Sequence, residues 1–137
     1  MNIMYRRIKI ESELSNLIKV ENAIDNATVQ LGVSQDNYGK ILVSTLEAVN
    51  NAILHGNRSD PDKFVRIVIA YDSNELKIKV TDEGQGFNPD SVRDPTLPEN
   101  IEEPNGRGVF LMARLADKIK YSKKGNTVTM IFKNVIS

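Results

Sequence analysis

At 137 residues the chain suits one compact domain with a single core. Its 18 Lys and Arg balance 18 Asp and Glu, so the charge gives no footing for non-specific nucleic-acid binding or a basic membrane surface. With no cysteine and one histidine, the composition excludes a disulfide framework, a thiolate metal site, a cysteine nucleophile and a histidine-rich zinc site.

No apolar run approaches the ~20 residues of a membrane helix. The first residues, Met1 to Arg7, have no signal-peptide core behind them. The expectation is a soluble, cytoplasmic protein of one domain spanning 1–137.

Arg6 to Glu11 alternates polar and apolar residues and predicts a short strand. Ser12 offers an N-cap for a first helix over about 13–31, with Leu14, Leu17, Ile18, Ile24 and Leu31 at helical spacing and Gly32 as its stop. Ser34 caps a second helix. Tyr38, Ile41, Leu42, Thr45, Val49, Ala52 and Ile53 recur at spacings of three and four, so one face is buried. Gly56 reads as its C-terminal stop. Glu47 and Asn51 fall one turn apart on one side of this helix. A carboxylate there can take a proton, and an amide oxygen can ligate a hard cation such as Mg²⁺. Alone, the pair reads more readily as solvated or capping polars near a helix end.

Asn57 to Asp62 is a turn cluster. Val65 to Tyr71 and Leu76 to Thr81 alternate as two strands of a hairpin, turned by Asp72-Ser73-Asn74. The second runs into Asp82-Glu83-Gly84-Gln85-Gly86-Phe87. Glycines let the backbone turn tightly and approach a ligand, and a fixed Asp at a strand end can accept from an exocyclic amine. This D-x-G-x-G is not a dinucleotide fingerprint, because Pro89 stands where a third glycine is needed, and no P-loop occurs in the chain.

Residues 88–105 hold four of the five prolines and are acidic through Asp90, Asp94, Glu99, Glu102 and Glu103. A long loop inside a small domain is usually functional, here as a lid, with an ordinary surface loop as the other reading. Gly106-Arg107-Gly108 opens a helical stretch carrying Val109, Leu111, Met112, Leu115 and Ala116. Free N–H groups at such a start bind phosphate, and Arg107 could add a charged fork; a glycine-rich helix entry with a solvated arginine is the equal alternative. Strands over 118–122 and 127–132 close the chain around a turn at 123–126. The pattern predicts an α/β (α+β) two-layer sandwich: a mostly antiparallel mixed sheet with helices on one face.

The order of these pieces resembles the GHKL ATP-binding family, in which the fold is the Bergerat type. Glu47 to Asn57 resembles its N box, Asp82 to Phe87 its first glycine box, Asn105 to Phe110 its second, and Gly125-Asn126-Thr127-Val128 its G-T-T strand entry. The E-A-V-x-N-A-I-x-H-G-N form and the chain length are most similar to stand-alone anti-sigma factor serine kinases. The resemblance implies ATP and Mg²⁺ as cofactors. It implies Glu47 as general base and Asn51 as Mg²⁺ ligand. Asp82, with Thr127 beside it, would bind the adenine amino group, and Gly84 and Gly86 would shape the adenine pocket. Gly106, Arg107 and Gly108, with Val109 in the same box, would hold phosphates under a lid at 88–105. It further implies phosphorylation of a small STAS-type antagonist, sequestration of a sigma factor and a homodimer, with no nucleic acid or membrane as partner. A nucleotide-gated binding switch without catalysis, or a histidine-kinase-like domain acting in trans, are the alternatives. Two features depart from the family: the second box has only two glycines, and Asn126 replaces the first Thr of the strand entry. His55 is read as structural at the helix end.

Overall fold

The computed structural model describes residues 3–84 and 115–136. Among the described residues five strands form one sheet: β1 (Met4–Glu11), β2 (Phe64–Asp72), β3 (Glu75–Thr81), β4 (Lys118–Tyr121) and β5 (Thr127–Lys133). Their order is β1-β2-β3-β5-β4, and all four pairings are antiparallel. The helices α1 (Leu17–Leu31) and α2 (Gln35–Asn51) share one core with the apolar face of the sheet. The expected two-layer architecture is therefore present.

Strand alternation sorts the two faces. Val65, Ile67, Ile69 and Tyr71 of β2, with Leu76, Ile78 and Val80 of β3, are buried under the helices. Lys77 and Lys79 point to the opposite, exposed face. Ile131 also belongs to that face by alternation with Met130 and Phe132, yet it is only 4% exposed. Lys77 and Lys118 are its cross-strand partners on either side. Long lysine stems can cover such an apolar residue while their ammonium groups stay in water.

The β2–β3 turn has positive φ at both central residues, Ser73 (53°) and Asn74 (66°). This is the geometry of a two-residue type I′ hairpin, whose twist matches that of the flanking strands. Gly32 ends α1 with φ 74°, the left-handed conformation glycine adopts without a Cβ penalty. Ser34 accepts from Asn37 N–H and caps α2. Buried Thr28, Ser44 and Thr45 donate to carbonyls four residues back, so α1 and α2 carry hydroxyls into the core without unpaired groups.

Ser12 departs from expectation. It does not cap the first helix, which opens with a 3₁₀ turn at Leu14–Asn16 whose N-cap is Glu13. Ser12 is buried, and its Oγ donates to the Lys63 carbonyl at 2.7 Å. Its partners lie some fifty residues on, so the sequence pattern of a cap was outweighed by a tertiary contact.

Candidate nucleotide site

The end of α2 carries the first half of the site. Ile41, Ala48 and Val49 anchor the helix in the core. Glu47 and Asn51 lie half-buried at the border of that face. Neither side chain makes a hydrogen bond or an ion pair among the described residues. Among the described residues a carboxylate and an amide one turn apart are thus unpaired. Among the described residues no cluster of three or more His, Cys, Asp or Glu could hold a metal.

Beyond Asn51 the helix widens into a π-helical turn, Ala52–Gly56. Asn57 N–H donates to the Ala52 carbonyl at 2.8 Å and Ser59 N–H to the Ile53 carbonyl at 2.7 Å. The chain then leaves through Arg58 and Ser59, both with positive φ (52° and 56°). Such π turns cluster at functional sites. His55 lies exposed on this turn, where a basic side chain meets the negative end of a helix.

The second half of the site is the end of β3. Asp82 is half-buried, and its Oδ1 accepts from Gly84 N–H at 2.8 Å. The two halves meet without side-chain spacers. A Cβ added to Gly56 would lie 2.3 Å from the Asp82 carboxylate, and one added to Gly84 would lie 2.0 Å from the Gly56 carbonyl oxygen. Gly56 does close the helical stretch. Its requirement for glycine is this approach, because Gly56 is not among the positive-φ residues.

Across the sheet, Asp82 N–H donates to the Asn126 carbonyl at 2.9 Å, and Asn126 Nδ2 donates back to the Asp82 carbonyl at 3.2 Å. The Asn126 side chain therefore meets the Asp82 backbone. Thr127 Oγ1 bonds to Thr81 Oγ1 at 3.2 Å, one residue before Asp82. Gly86, Gly106, Arg107, Gly108 and Val109, the lid at 88–105 and the helical start at 106 lie outside the described residues.

Burial raises the Asp82 carboxyl above its usual range, against the opposing effects of the Gly84 N–H, Lys124 and Lys63. The sign follows by linkage. The folded state holds this proton more tightly than the unfolded state, so Asp82 lowers stability once pH rises through its folded pKa. Asp82→Asn keeps an acceptor for Gly84 N–H and removes the desolvated charge. The ligand-free variant is expected to melt at or above the wild-type temperature at pH 7. That difference should close as pH falls toward 3.8, the ordinary carboxyl value. Calorimetric melting at pH 4 to 8 checks it; a variant that melts well below wild type at pH 7 would show that the charge stabilises the fold.

A half-buried acid at a strand end, a close glycine contact and a helix bearing a carboxylate and an amide one turn apart stand together at one end of the sheet. The family model described as histidine kinase-like ATPase domain matches residues 10–132, and the chain belongs to that family. It is 30% identical over 133 residues to the anti-sigma F factor of Geobacillus thermodenitrificans, covering 96% of this chain and 90% of that one. It is 21% identical over 140 residues to the serine-protein kinase RsbW of Oceanobacillus iheyensis, covering 98% and 89%. Among solved structures, the RsbU and RsbW domains of a Mycobacterium tuberculosis protein superpose with a TM-score of 0.63 at 17% identity, over 95% of this chain and 32% of that chain. That likeness shows the shared fold.

Proposed function

We propose that this chain is an ATP-dependent serine-protein kinase that sequesters a sigma factor and phosphorylates a small antagonist of that sequestration. The relatives named anti-sigma F factor and serine-protein kinase RsbW support the class. The observation that carries the reading is the junction at Gly56 and Asp82. There the helix bearing Glu47 and Asn51 abuts the strand end that bears a desolvated carboxylate.

In this reading Asp82 accepts from the adenine amino group, with Gly84 and Gly86 leaving room for the base and Thr127 nearby. Gly106, Arg107, Gly108 and Val109 hold the phosphates, and residues 88–105 cover them. Asn51 ligates Mg²⁺, which when bound neutralises charge on the phosphate oxygens. Glu47 accepts the proton of the antagonist's serine hydroxyl. The serine oxygen forms its bond to the γ-phosphorus, and the bond to the leaving ADP oxygen breaks. Little covalent work falls to the protein beyond positioning and charge. The whole chain acts as one ATP-binding unit in the cytoplasm, as a homodimer.

Calorimetric titration with ATP and ADP, with and without Mg²⁺, tests the reading on the intact chain. ATP should bind. Asp82→Asn should weaken it by about 10- to 100-fold, the scale of one desolvated hydrogen bond to a charged group. Asn51→Ala should remove the dependence on Mg²⁺. An intact chain that takes neither nucleotide would end the reading and leave a nucleotide-free interaction protein.

A further inference from the structure

The peptide group joining Asp82 to Glu83 is gripped at both of its polar atoms by side chains remote in sequence. Its carbonyl accepts from Asn126 Nδ2 at 3.2 Å, and its N–H donates to Asn57 Oδ1 at 2.7 Å. Asn57 is 0% exposed. Its Nδ2 donates twice, to Ser12 Oγ at 2.7 Å and to the Phe64 carbonyl at 3.0 Å. The amide orientation follows from these partners: turned over, its oxygen would face the Phe64 carbonyl and its NH₂ the Glu83 N–H. Both donors and the acceptor of a buried amide are thus committed, and only that full satisfaction offsets the cost of burying it.

The geometry matters because of what the gripped peptide carries. A carboxylate at the open end of a strand is aimed by its own two side-chain torsions and by the backbone of the turn behind it. The grip removes the backbone freedom. Asn57 sits immediately after Gly56, whose place against the Asp82 carboxylate leaves no room for a Cβ. One residue therefore ties the exit of the π turn, the start of β2 and the turn after β3 to one another.

We infer that Asn57 and Asn126 are positioning residues for nucleobase selection: they fix the peptide after Asp82 so that its carboxylate points at the exocyclic amine of the base. The inference rests on the adenine reading of Asp82 given above. In it, discrimination between a 6-amino and a 6-oxo purine depends on two amides that need not touch the base.

The test compares ATP with inosine triphosphate by calorimetry on the intact chain and on Asp82→Asn, Asn126→Ala, Asn57→Ala and Ser12→Ala. Asn126→Ala keeps the backbone bond from Asp82 N–H and removes the Nδ2 donor, together with the acceptor of Ser122 Oγ, at a half-buried position, so the test survives if Asn57→Ala does not fold. Ser12→Ala loosens the same scaffold without touching the gripped peptide. The preference for ATP should fall about tenfold in Asn126→Ala and in folded Asn57→Ala, the worth of one such hydrogen bond. It should hold at the wild-type ratio in Ser12→Ala while that variant melts lower. If Asp82→Asn erases the preference but Asn126→Ala keeps it, the positioning role is overturned and the adenine reading stands. An equal loss in Ser12→Ala also overturns it, since general loosening then suffices. If Asp82→Asn leaves the preference untouched, the adenine reading fails and the positioning role fails with it.

Discussion

Glu47→Gln is expected to lower phosphoryl transfer to the antagonist's serine by about 10²- to 10⁴-fold, the usual contribution of a positioned general base. The argument rests on what Glu47 does not do. Its carboxylate makes no hydrogen bond or ion pair among the described residues, so glutamine of nearly the same size leaves no described partner unpaired. Melting should shift by no more than the ±0.5 kcal/mol typical of substitutions away from structural features. ATP affinity should stay within about threefold of wild type, because a base acting on the incoming hydroxyl is not needed to hold the nucleotide. The measurement is single-turnover transfer from labelled ATP to the antagonist, alongside calorimetric ATP binding. Transfer at the wild-type rate would remove Glu47 as the base and, with it, the kinase mechanism drawn here. The non-catalytic switch makes a different demand. It has no transfer to lose and requires Glu47→Gln to keep regulating the sigma factor as long as ATP binds. Loss of regulation while ATP still binds would reject the switch.

Local chemistry in the sequence was enough to locate the end of α1, the start of α2 and the β2–β3 hairpin. Gly32 stops α1 because its left-handed φ suits glycine, and Ser34 caps α2 through its own hydroxyl; both are decided within four residues of chain. The β2–β3 hairpin follows from alternation, even though its type I′ turn is made by Ser73 and Asn74 with no glycine. The sheet order was less accessible. β5 lies between β3 and β4, so the last hairpin docks with its second strand inward. Alternation says nothing about which strand of a hairpin takes the edge. The sequence singled out Asp82 and Gly84, which the fold sets against Gly56. It was opaque at Ser12, Asn57 and Asn126. Ser12 and Asn57 meet across 45 residues, and Asn126 meets Asp82 across 44. In sequence each is an ordinary turn or cap residue. The final asparagine of the E-A-V-x-N-A-I-x-H-G-N stretch marks Asn57's place, but its task depends on three segments that only the fold brings together.

Three glycine-to-alanine substitutions should separate stability from binding by where the new methyl lands. In Gly84→Ala it would lie 2.0 Å from the Gly56 carbonyl oxygen and 2.6 Å from its carbon. Both obstacles are backbone and cannot swing aside, so the turn after β3 must part from the end of α2. Overpacking of this kind costs about 1 to 3 kcal/mol, and the displaced Asp82 should lose most of its grip on ATP. In Gly56→Ala the methyl meets the Asp82 carboxylate itself, 2.3 Å away. A side-chain end can rotate, at the expense of its 2.8 Å bond from Gly84 N–H. Here the melting change should be the smaller, with ATP affinity still lowered by about tenfold for the one lost, charge-assisted contact. Gly32→Ala is the contrast. Nothing lies within 4 Å of its added Cβ, but φ is 74°. It should cost about 1 kcal/mol through the backbone alone and leave ATP affinity unchanged. Melting curves and ATP titrations on the three variants give the ordering. If Gly32→Ala weakens ATP as much as Gly56→Ala does, nucleotide affinity follows overall stability rather than the Gly56–Asp82 contact. If Gly84→Ala binds ATP like wild type, the meeting of α2 with the end of β3 is not part of the nucleotide site.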